Sequence, residues 1–266
     1  MGLTKKTTTA IEIAVDTANP TVTYACQVIG VTPLSANTYQ VELQSPAGTV
    51  LDYQAGQYLQ LDLDINRDGR LDSLFYSITN GFDPKQPCRL QLFIQNSSGL
   101  TEAIIKHLFQ LSKNNTTAKV TLPMGQAYLQ TDLVLTHLLV ASGSGISKIK
   151  CLTEEILRQH ADADVNIYWS NRNIDEFYLL DKFKAWVVQN DNLNFTPVLE
   201  SAGLNWQGRS GYIYEVIKND FEDLAGAQAY LCGSPKMVYG TIDKLKATGL
   251  KEENCYSDVF EYAPRN

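Results

Sequence analysis

The sequence predicts two domains, an N-terminal antiparallel β-barrel followed by an α/β domain built on a parallel sheet. Between residues 21 and 121, apolar and polar side chains alternate, which is the period of half-buried strands. From residue 137 onward, short apolar runs are each followed by a helical segment, which is typical of parallel strands joined by helices. A chain of 266 residues is long enough for two such domains. We therefore expect a barrel at 21–131 and an α/β domain at 132–266, after a polar lead-in at 1–20.

The barrel strands are clearest at residues 39–43, 58–63 and 90–94, with turn-forming clusters of Gly, Pro, Asn and Asp between them. Several short strands at this spacing indicate a small antiparallel barrel. One helix interrupts the strands, because leucines and isoleucines recur at helical spacing over 100–111. Its start follows a Ser-Ser-Gly loop, where a Ser or Gly helix cap is expected.

The α/β domain shows four strand and helix pairs. Strands at 138–141, 165–169, 195–199 and 229–232 precede helices at 146–159, 175–189, 212–218 and 235–248. The first and last strands end in glycine-containing turns, Ala-Ser-Gly-Ser-Gly-Ile-Ser at 141–147 and Cys-Gly-Ser-Pro-Lys-Met at 232–237. Ligands of open α/β sheets bind beyond the carboxyl ends of the strands, and the first and fourth strands of such a fold end close together. Each turn alone is equally typical of a plain strand-to-helix connection.

Composition excludes several classes of function. A formal net charge of −7 argues against a nucleic-acid-binding surface, which needs clustered Lys and Arg. The longest apolar run falls far short of the roughly 20 residues that span a bilayer, and the first 20 residues lack the apolar core of a secretory signal. We expect a cytoplasmic protein. The five cysteines and three histidines are scattered, without the spacing of a zinc site or an iron-sulfur cluster, so no metal is expected.

Five segments occur in an order that resembles the ferredoxin-NADP reductase superfamily, and within it the bacterial NAD(P)H-flavin reductases that act on free flavin. Residues 55–59 resemble a barrel-strand signature, and Tyr-Ser-Ile at 76–78 resembles the end of the flavin motif R-x-Y-S. The turn at 141–147 resembles the nucleotide turn G-G-T-G, and 230–237 resembles the segment C-G-x-P-x-M. Residues 257–260 are similar to the terminal strand of the flavin reductases.

The resemblance implies that a hydride passes from NADH or NADPH to a flavin held between the two domains. Ser77 would hydrogen-bond flavin N5, and Cys232 would lie where the nicotinamide arrives, so these two are the implied catalytic positions. The remaining implied contacts fall into groups along the flavin, at an FAD pyrophosphate, at the nucleotide turn, at the adenosine ribose and at the nicotinamide. They are Phe75, Tyr76, Ile78 and Thr79; Gly99 and Thr101; Gly143, Ser144 and Gly145; Ser170 and Arg172; and Gly233, Pro235 and Met237.

The chain departs from the family pattern at Leu74, which stands where the flavin motif has an arginine that pairs with the flavin phosphate. A leucine cannot bind phosphate, which fits a riboflavin-like free substrate better than tightly held FMN or FAD. Arg67 and Arg70 could substitute, although solvated loop arginines are the favoured interpretation. Arg172 has the charge and forked geometry for a 2′-phosphate, which favours NADPH, but is equally typical of an exposed turn. Asp175 and Tyr178 could add ribose or adenine contacts.

Three functions therefore stay open. The first is a flavin reductase that uses riboflavin, FMN or FAD and passes electrons on to oxygen, ferric complexes or a partner protein. The second is a reductase subunit with a bound FAD that serves a separate oxygenase or iron-sulfur protein. The third is a flavin- or nucleotide-binding module without catalytic activity, since fold does not guarantee function.

Overall fold

The computed structural model describes residues 20–130, 135–203 and 206–265. Their first part forms a six-stranded antiparallel sheet with the strand order β4-β3-β6-β1-β2-β5. The helix α1, Gly99–Lys113, lies between the fifth and sixth strands in the chain. The strands are β1 Val22–Pro33, β2 Thr38–Gln44, β3 Tyr58–Leu63, β4 Asp72–Ser77, β5 Arg89–Gln95 and β6 Thr117–Met124.

Alternation of side chains builds this sheet as predicted. Leu43, Leu61 and Leu92, one from each predicted strand, are fully buried in the barrel core. The residues before them, Glu42, Gln60 and Gln91, point to the other face of the sheet and are only partly buried. Helix α1 buries Ile104, Ile105 and Leu108 against the same core. The prediction of an antiparallel barrel with one inserted helix is confirmed.

The second part is a six-stranded sheet in which every neighbouring pair is parallel, with the order β10-β9-β8-β7-β11-β12. Five helices connect these strands or follow them. The strands are β7 His137–Ser142, β8 Val165–Asn171, β9 Leu193–Leu199, β10 Arg209–Ser210, β11 Gln228–Cys232 and β12 Cys255–Tyr256. The helices are α2 Ile146–Gln159, α3 Leu180–Gln189, α4 Ile213–Asp220, α5 Pro235–Leu245 and α6 Val259–Tyr262.

The order of the parallel strands reverses between β7 and β11. After β7 the chain adds β8, β9 and β10 on one side, and it then returns to place β11 on the other side of β7. Such a switch point leaves a crevice at the carboxyl ends of the two central strands, which is where ligands of open α/β sheets bind. The crevice faces the barrel, because helix α2, which starts there, packs against barrel residues: Lys150 Nζ donates to Thr79 O at 3.1 Å, and Gly56 lies against Leu152.

Several predicted boundaries need correction. Helix α3 starts at Leu180 rather than 175, because residues 174–176 form a 3₁₀ turn capped by Asn173 and Glu176. Helix α5 ends at Leu245, and a 3₁₀ turn continues to Thr248. The predicted terminal strand at 257–260 is wrong. The last strand is β12, just before it, and the chain then turns into α6, with the buried Ser257 hydroxyl accepting from Val259 N at 3.3 Å.

The predicted domain boundary at 131/132 and nearly all of the polar lead-in lie outside the described residues. Within the described ranges, no helix is both long enough and apolar enough to cross a membrane.

Candidate functional site

The two glycine turns of the α/β domain lie against each other. Strands β7 and β11 are direct neighbours, with Cys232 opposite Ala141. A Cβ atom added to Gly145 would lie 2.7 Å from the Cys232 carbonyl carbon and would also overlap the carbonyl oxygen. A Cβ added to Gly233 would lie 3.1 Å from Ser142 Cβ and would overlap the Met237 methyl group. At Gly145 the overlap is with backbone, so only glycine lets the turns pack this closely, whereas at Gly233 the overlap is with the flexible end of the Met237 side chain.

The first turn is held open toward solvent by the strand next to it. Gly143 takes a positive φ of 55°, and a Cβ built there would meet nothing within 4 Å. The indole Nε1 of the fully buried Trp169 donates to Gly143 O at 2.9 Å. Ser144 is exposed, whereas Gly145 is buried. The turn therefore presents Gly143 and Ser144 outward while Gly145 anchors it.

The second turn starts helix α5 in a regular way. The Ser234 side chain caps the helix by accepting from Met237 N at 3.3 Å, and Pro235 occupies the first turn, where its missing N–H costs nothing. The pKa of Cys232 is raised to about 12, mainly by burial. The Lys148 ammonium opposes this rise and the Asp258 carboxylate contributes to it. The thiol is therefore neutral near pH 7 and does not act as a thiolate nucleophile.

The C-terminal segment, residues 257–263, connects these turns to the barrel. Lys148, in the first turn of α2 and 1% exposed, forms an ion pair with Asp258 at 2.6 Å. Three residues further on, Glu261 accepts from Gln126 N at 2.7 Å and from the Tyr58 hydroxyl at 3.4 Å. The segment thus forms hydrogen bonds with both domains where they meet.

Strand β4 carries the predicted flavin motif at the edge of the barrel sheet. Alternate side chains point to opposite faces, so Phe75 and Ser77 share one face and Leu74 and Tyr76 share the other. Phe75 is 52% exposed and packs edge-on against Tyr58, the neighbour of the C-terminal segment. The Ser77 hydroxyl has no hydrogen-bond partner among the described residues. Tyr76 lies half-buried against the barrel core, and this burial raises its pKa to about 12.

Ile78 and Thr79, which were also predicted to contact the flavin, are fully buried. Ile78 N donates to Gln57 O at 3.1 Å, and Thr79 N donates to Gln91 O at 2.9 Å. The structure places these two residues in the barrel wall behind Ser77, where they fix the end of the strand.

The start of helix α1 is a capping box. The Ser98 hydroxyl accepts from Thr101 N at 3.2 Å, and the Thr101 hydroxyl accepts from Ser98 N at 2.9 Å and from Ser97 N at 3.0 Å. These local bonds occupy most of the groups that would meet a pyrophosphate, while Gly99 is exposed with open space around it. The geometry agrees with the interpretation of this segment as a helix cap.

A cavity of about 180 Å³ lies between the barrel and the first nucleotide turn. Tyr178 forms part of its wall, and its ring packs edge-on against Phe93 of the barrel and Trp169 of β8. The Tyr178 hydroxyl is buried without a hydrogen-bond partner among the described residues. The lining residues are Ser35, Ala36, Asn37, Thr38, Gln95, Gly143, Ser144, Asn171, Asn173, Asp175, Glu176 and Tyr178.

The two predicted ribose contacts, Ser170 and Arg172, differ in their exposure to solvent. Ser170 is 4% exposed within strand β8, whereas Arg172 is a surface residue whose side chain is 81% exposed. Arg172 Nε lies 3.5 Å from a Glu200 carboxylate oxygen, and the arginine is not part of the cavity wall.

The chain is similar to several known oxidoreductases. The family described as "Oxidoreductase NAD-binding domain" matches residues 139–242, which include both glycine turns. An NAD(P)H-flavin reductase of Vibrio harveyi is 24% identical over 249 residues, covering 90% of this chain and 99% of the relative. A cytochrome P450 reductase of Amycolatopsis superposes with a TM-score of 0.78 at 22% identity, over 90% of this chain and 70% of that one. A Neisseria gonorrhoeae ferredoxin NADP⁺ reductase, solved with FAD and NADP, gives 0.68 at 18% identity, over 89% and 97%.

The chain resembles the ferredoxin-NADP reductase superfamily in sequence and in fold. The resemblance predicted from the five sequence segments is thereby confirmed, as is the two-domain fold. Within the superfamily fold, the exposed face of β4, the C-terminal segment and the two glycine turns form one continuous candidate site. The individual contacts to flavin and nucleotide stay predictions.

Sequence reasoning missed three parts of this site. The Lys148–Asp258 pair joins residues 110 positions apart, and no local pattern marks such a pair. Glu261 was missed because the resemblance implies a strand at 257–260, whereas the chain there turns into α6, which carries Glu261. The barrel loop 35–38 was missed because its role depends on how the two domains pack.

Two other features lie apart from the candidate site. A cavity of about 400 Å³ between the loop at 80–86 and helix α2 is lined by charged residues that are largely paired with one another, and neither glycine turn contributes to it. Among the described residues, no three His, Cys, Asp or Glu side chains are grouped to hold a metal ion.

Proposed function

We propose that this protein is an NAD(P)H-dependent flavin reductase that takes its flavin as an exchangeable substrate. The observation that carries the proposal is the junction of the two glycine turns with the exposed face of β4 through the C-terminal segment. This junction provides neighbouring places for a nicotinamide and a flavin ring. The match with the Vibrio harveyi flavin reductase, nearly end to end in both chains, supports the same activity.

The residues present suit hydride transfer. The rings of the nicotinamide and the flavin supply the chemistry themselves, and the protein has to bind, orient and exclude water. Ser77 would donate a hydrogen bond to flavin N5, since its hydroxyl is uncommitted. Phe75 would offer an apolar face beside it. No general base is needed, which agrees with a neutral Cys232 thiol that packs beside the nicotinamide.

The groups around the flavin motif argue for a flavin that exchanges. Strand β4 carries no Lys or Arg, and Leu74 packs half-buried against the barrel core. Arg67 does not replace the missing cation, because its guanidinium donates to Gln110. Gln110 lies eleven residues into α1, roughly 16 Å along the axis from its start at 1.5 Å per residue. With the Thr101 hydroxyl occupied in the helix cap, a flavin phosphate would find few partners.

A second candidate function is a reductase subunit with a bound flavin that serves a separate acceptor protein. The likeness to the Amycolatopsis cytochrome P450 reductase favours this alternative, because that chain combines the same fold with additional sequence. In either case we propose a cytoplasmic location, with oxygen, ferric complexes or a partner protein as the final acceptor.

The proposal is tested by anaerobic oxidation of NADH and NADPH by purified protein, with riboflavin, FMN or FAD added separately. The absorbance spectrum of the protein is recorded first. We expect a colourless protein that oxidises the nucleotide only when flavin is added. A yellow protein whose own flavin is reduced without addition would favour the reductase subunit. No oxidation under any condition would leave only a binding module.

A further inference from the structure

The cavity beside the first glycine turn has a charge pattern that bears on which nucleotide enters it. Its wall joins Gly143 and Ser144 of the nucleotide turn to Asn171, the last residue of strand β8, and to Asp175, just beyond that strand. In dinucleotide-binding folds the adenosine ribose lies beyond the second strand, where an acidic side chain accepts from its hydroxyls or an arginine binds a 2′-phosphate. The charged groups that line this cavity therefore determine whether NADH or NADPH binds more tightly.

The described residues that line the cavity include two carboxylates, Asp175 and Glu176, and no Lys or Arg. Arg172, which stands between the lining residues Asn171 and Asn173, has its side chain 81% exposed and directed toward Glu200. A 2′-phosphate, with a charge near −2, would face two like charges without a compensating cation. A ribose with two free hydroxyls would instead find acceptors.

The two carboxylates differ in what they already do. Glu176 accepts from Arg172 N at 3.2 Å, from Asn173 N at 3.4 Å and from the Asn173 amide at 3.3 Å, so it holds the loop in shape. Asp175 forms no hydrogen bond with any other described residue. Its carboxylate is therefore available to a ligand. Asp175 directly precedes Glu176, whose hydrogen bonds hold the loop in shape.

The opposite wall comes from the barrel, through Asn37 and Gln95. Across the cavity, the Tyr178 ring is clamped between Phe93 and Trp169, and its buried hydroxyl is without a partner in the described part of the chain. A buried hydroxyl is costly unless it is hydrogen-bonded, so this group also points to a polar ligand in the cavity.

We propose that the site selects NADH over NADPH, with Asp175 accepting hydrogen bonds from the ribose hydroxyls of the adenosine half and the barrel loop closing the pocket. This inference rests on the proposed function, because it concerns the nucleotide that the same site uses. We expect kcat/KM for NADH to exceed that for NADPH by about 10-fold or more, which corresponds to about 1.4 kcal/mol.

The test has two independent readouts. Calorimetry measures binding of 5′-AMP and of adenosine 2′,5′-bisphosphate to the full-length protein without flavin. Steady-state kinetics measures kcat/KM for both nucleotides with added riboflavin, in the wild type and in Asp175→Asn. The variant should lose most of the discrimination, with kcat/KM falling for NADH and rising for NADPH. Asp191→Asn, an equal charge change in the turn that precedes β9, at the amino-terminal ends of the strands and away from the cavity, is the matched control.

The outcomes separate the two proposals. Tighter binding of 5′-AMP than of the bisphosphate, without any flavin reduction, supports the nucleotide selectivity and removes the flavin reductase function. Flavin reduction with NADPH as good as NADH overturns the selectivity and keeps the function. The selectivity is also overturned if neither adenosine ligand binds, or if Arg172→Gln, rather than Asp175→Asn, changes the ratio of the two kcat/KM values.

Discussion

The two ends of the candidate site differ in how closely their residues pack. The proposed nucleotide end consists of residues 141–147 and 232–237, and the proposed flavin end is the strand β4. At the nucleotide end, two turns touch so closely that a single methyl group at Gly145 would collide with the neighbouring backbone. At the flavin end, Phe75 is half exposed, and the Ser77 hydroxyl has no hydrogen-bond partner among the described residues. We infer from this difference that the nucleotide would bind to preformed backbone, whereas the flavin would meet an open surface that suits exchange.

The largest effect should come from a substitution that pushes the two glycine turns apart. In Gly145→Ala, the new methyl group must displace the Cys232 carbonyl, which belongs to the second turn. We expect more than about 100-fold loss of NADH-dependent turnover, since a shift of about 1 Å in a site costs that much. Turnover is measured with added riboflavin. Gly240→Ala in α5, where a Cβ has free space, is the control and should retain activity. Full turnover in Gly145→Ala would show that the close packing is not required.

The next effect concerns the open end. Ser77→Ala should lower kcat by roughly 100-fold, because a donor aimed at the reacting atom is lost while the fold is kept. Stopped-flow measurement of flavin reduction checks this. Ser73→Ala lies on the same face of β4 but donates to Asp62, so it should change stability and leave the rate nearly intact. Equal rates in wild type and Ser77→Ala would remove Ser77 from the chemistry.

A gain of function would sharpen the comparison. Leu74→Arg puts a guanidinium on the face of β4 that carries Tyr76, the implied flavin contact next to it on that face. It should tighten binding of FMN and FAD by about 10-fold, since a charge-assisted hydrogen bond to phosphate contributes about 1.5–3 kcal/mol. Riboflavin, which has no phosphate, should bind as before. Fluorescence quenching gives the three dissociation constants, and Leu74→Met controls for the change in side-chain shape. Equal tightening of all three flavins would contradict a phosphate effect.

The smallest effect concerns how β4 is held. The Asp62 carboxylate, 4% exposed, accepts from Ser73 of β4 at 2.7 Å and lies 3.0 Å from Lys119 of β6. Burial alone would raise the pKa of Asp62, but hydrogen bonds from Ser73 and Gln60 and the Lys119 ammonium hold it below its usual value. Its stabilisation is therefore present above the ordinary aspartate pKa of about 3.9 and is lost as the pH falls through the lower folded value.

Asp62→Asn should accordingly cost about 1 kcal/mol of unfolding free energy at pH 7, a modest figure because Lys119 is half exposed. The difference from wild type should shrink below about pH 4. Urea unfolding at several pH values measures it, with the exposed Asp52→Asn as control. A difference that grows as the pH falls would contradict the direction of the pKa shift.

Local periodicity was enough to predict three barrel strands and the helix α2 from 146 to 159, because burial on one face imposes a fixed spacing on the chain. The meeting of the two glycine turns followed from the order of strands in open α/β sheets. The resemblance failed at residues 257–260, which are similar to the terminal strand of the flavin reductases, because a Ser257 side-chain bond turns the chain into α6. The Lys148–Asp258 pair and the barrel wall of the nucleotide cavity could not be predicted, since both depend on how distant segments pack.

The central claim, a preformed nucleotide end beside an open flavin end, is tested most directly by titrating flavin-free wild-type protein with riboflavin, FMN and FAD and following flavin fluorescence. We predict dissociation constants within about 10-fold of one another, because no charge-assisted hydrogen bond to phosphate adds its 1.5–3 kcal/mol. All three flavins should also separate from the protein during gel filtration. FMN or FAD that binds more than about 100-fold tighter than riboflavin, equal to about 2.7 kcal/mol, and elutes with the protein would contradict the account.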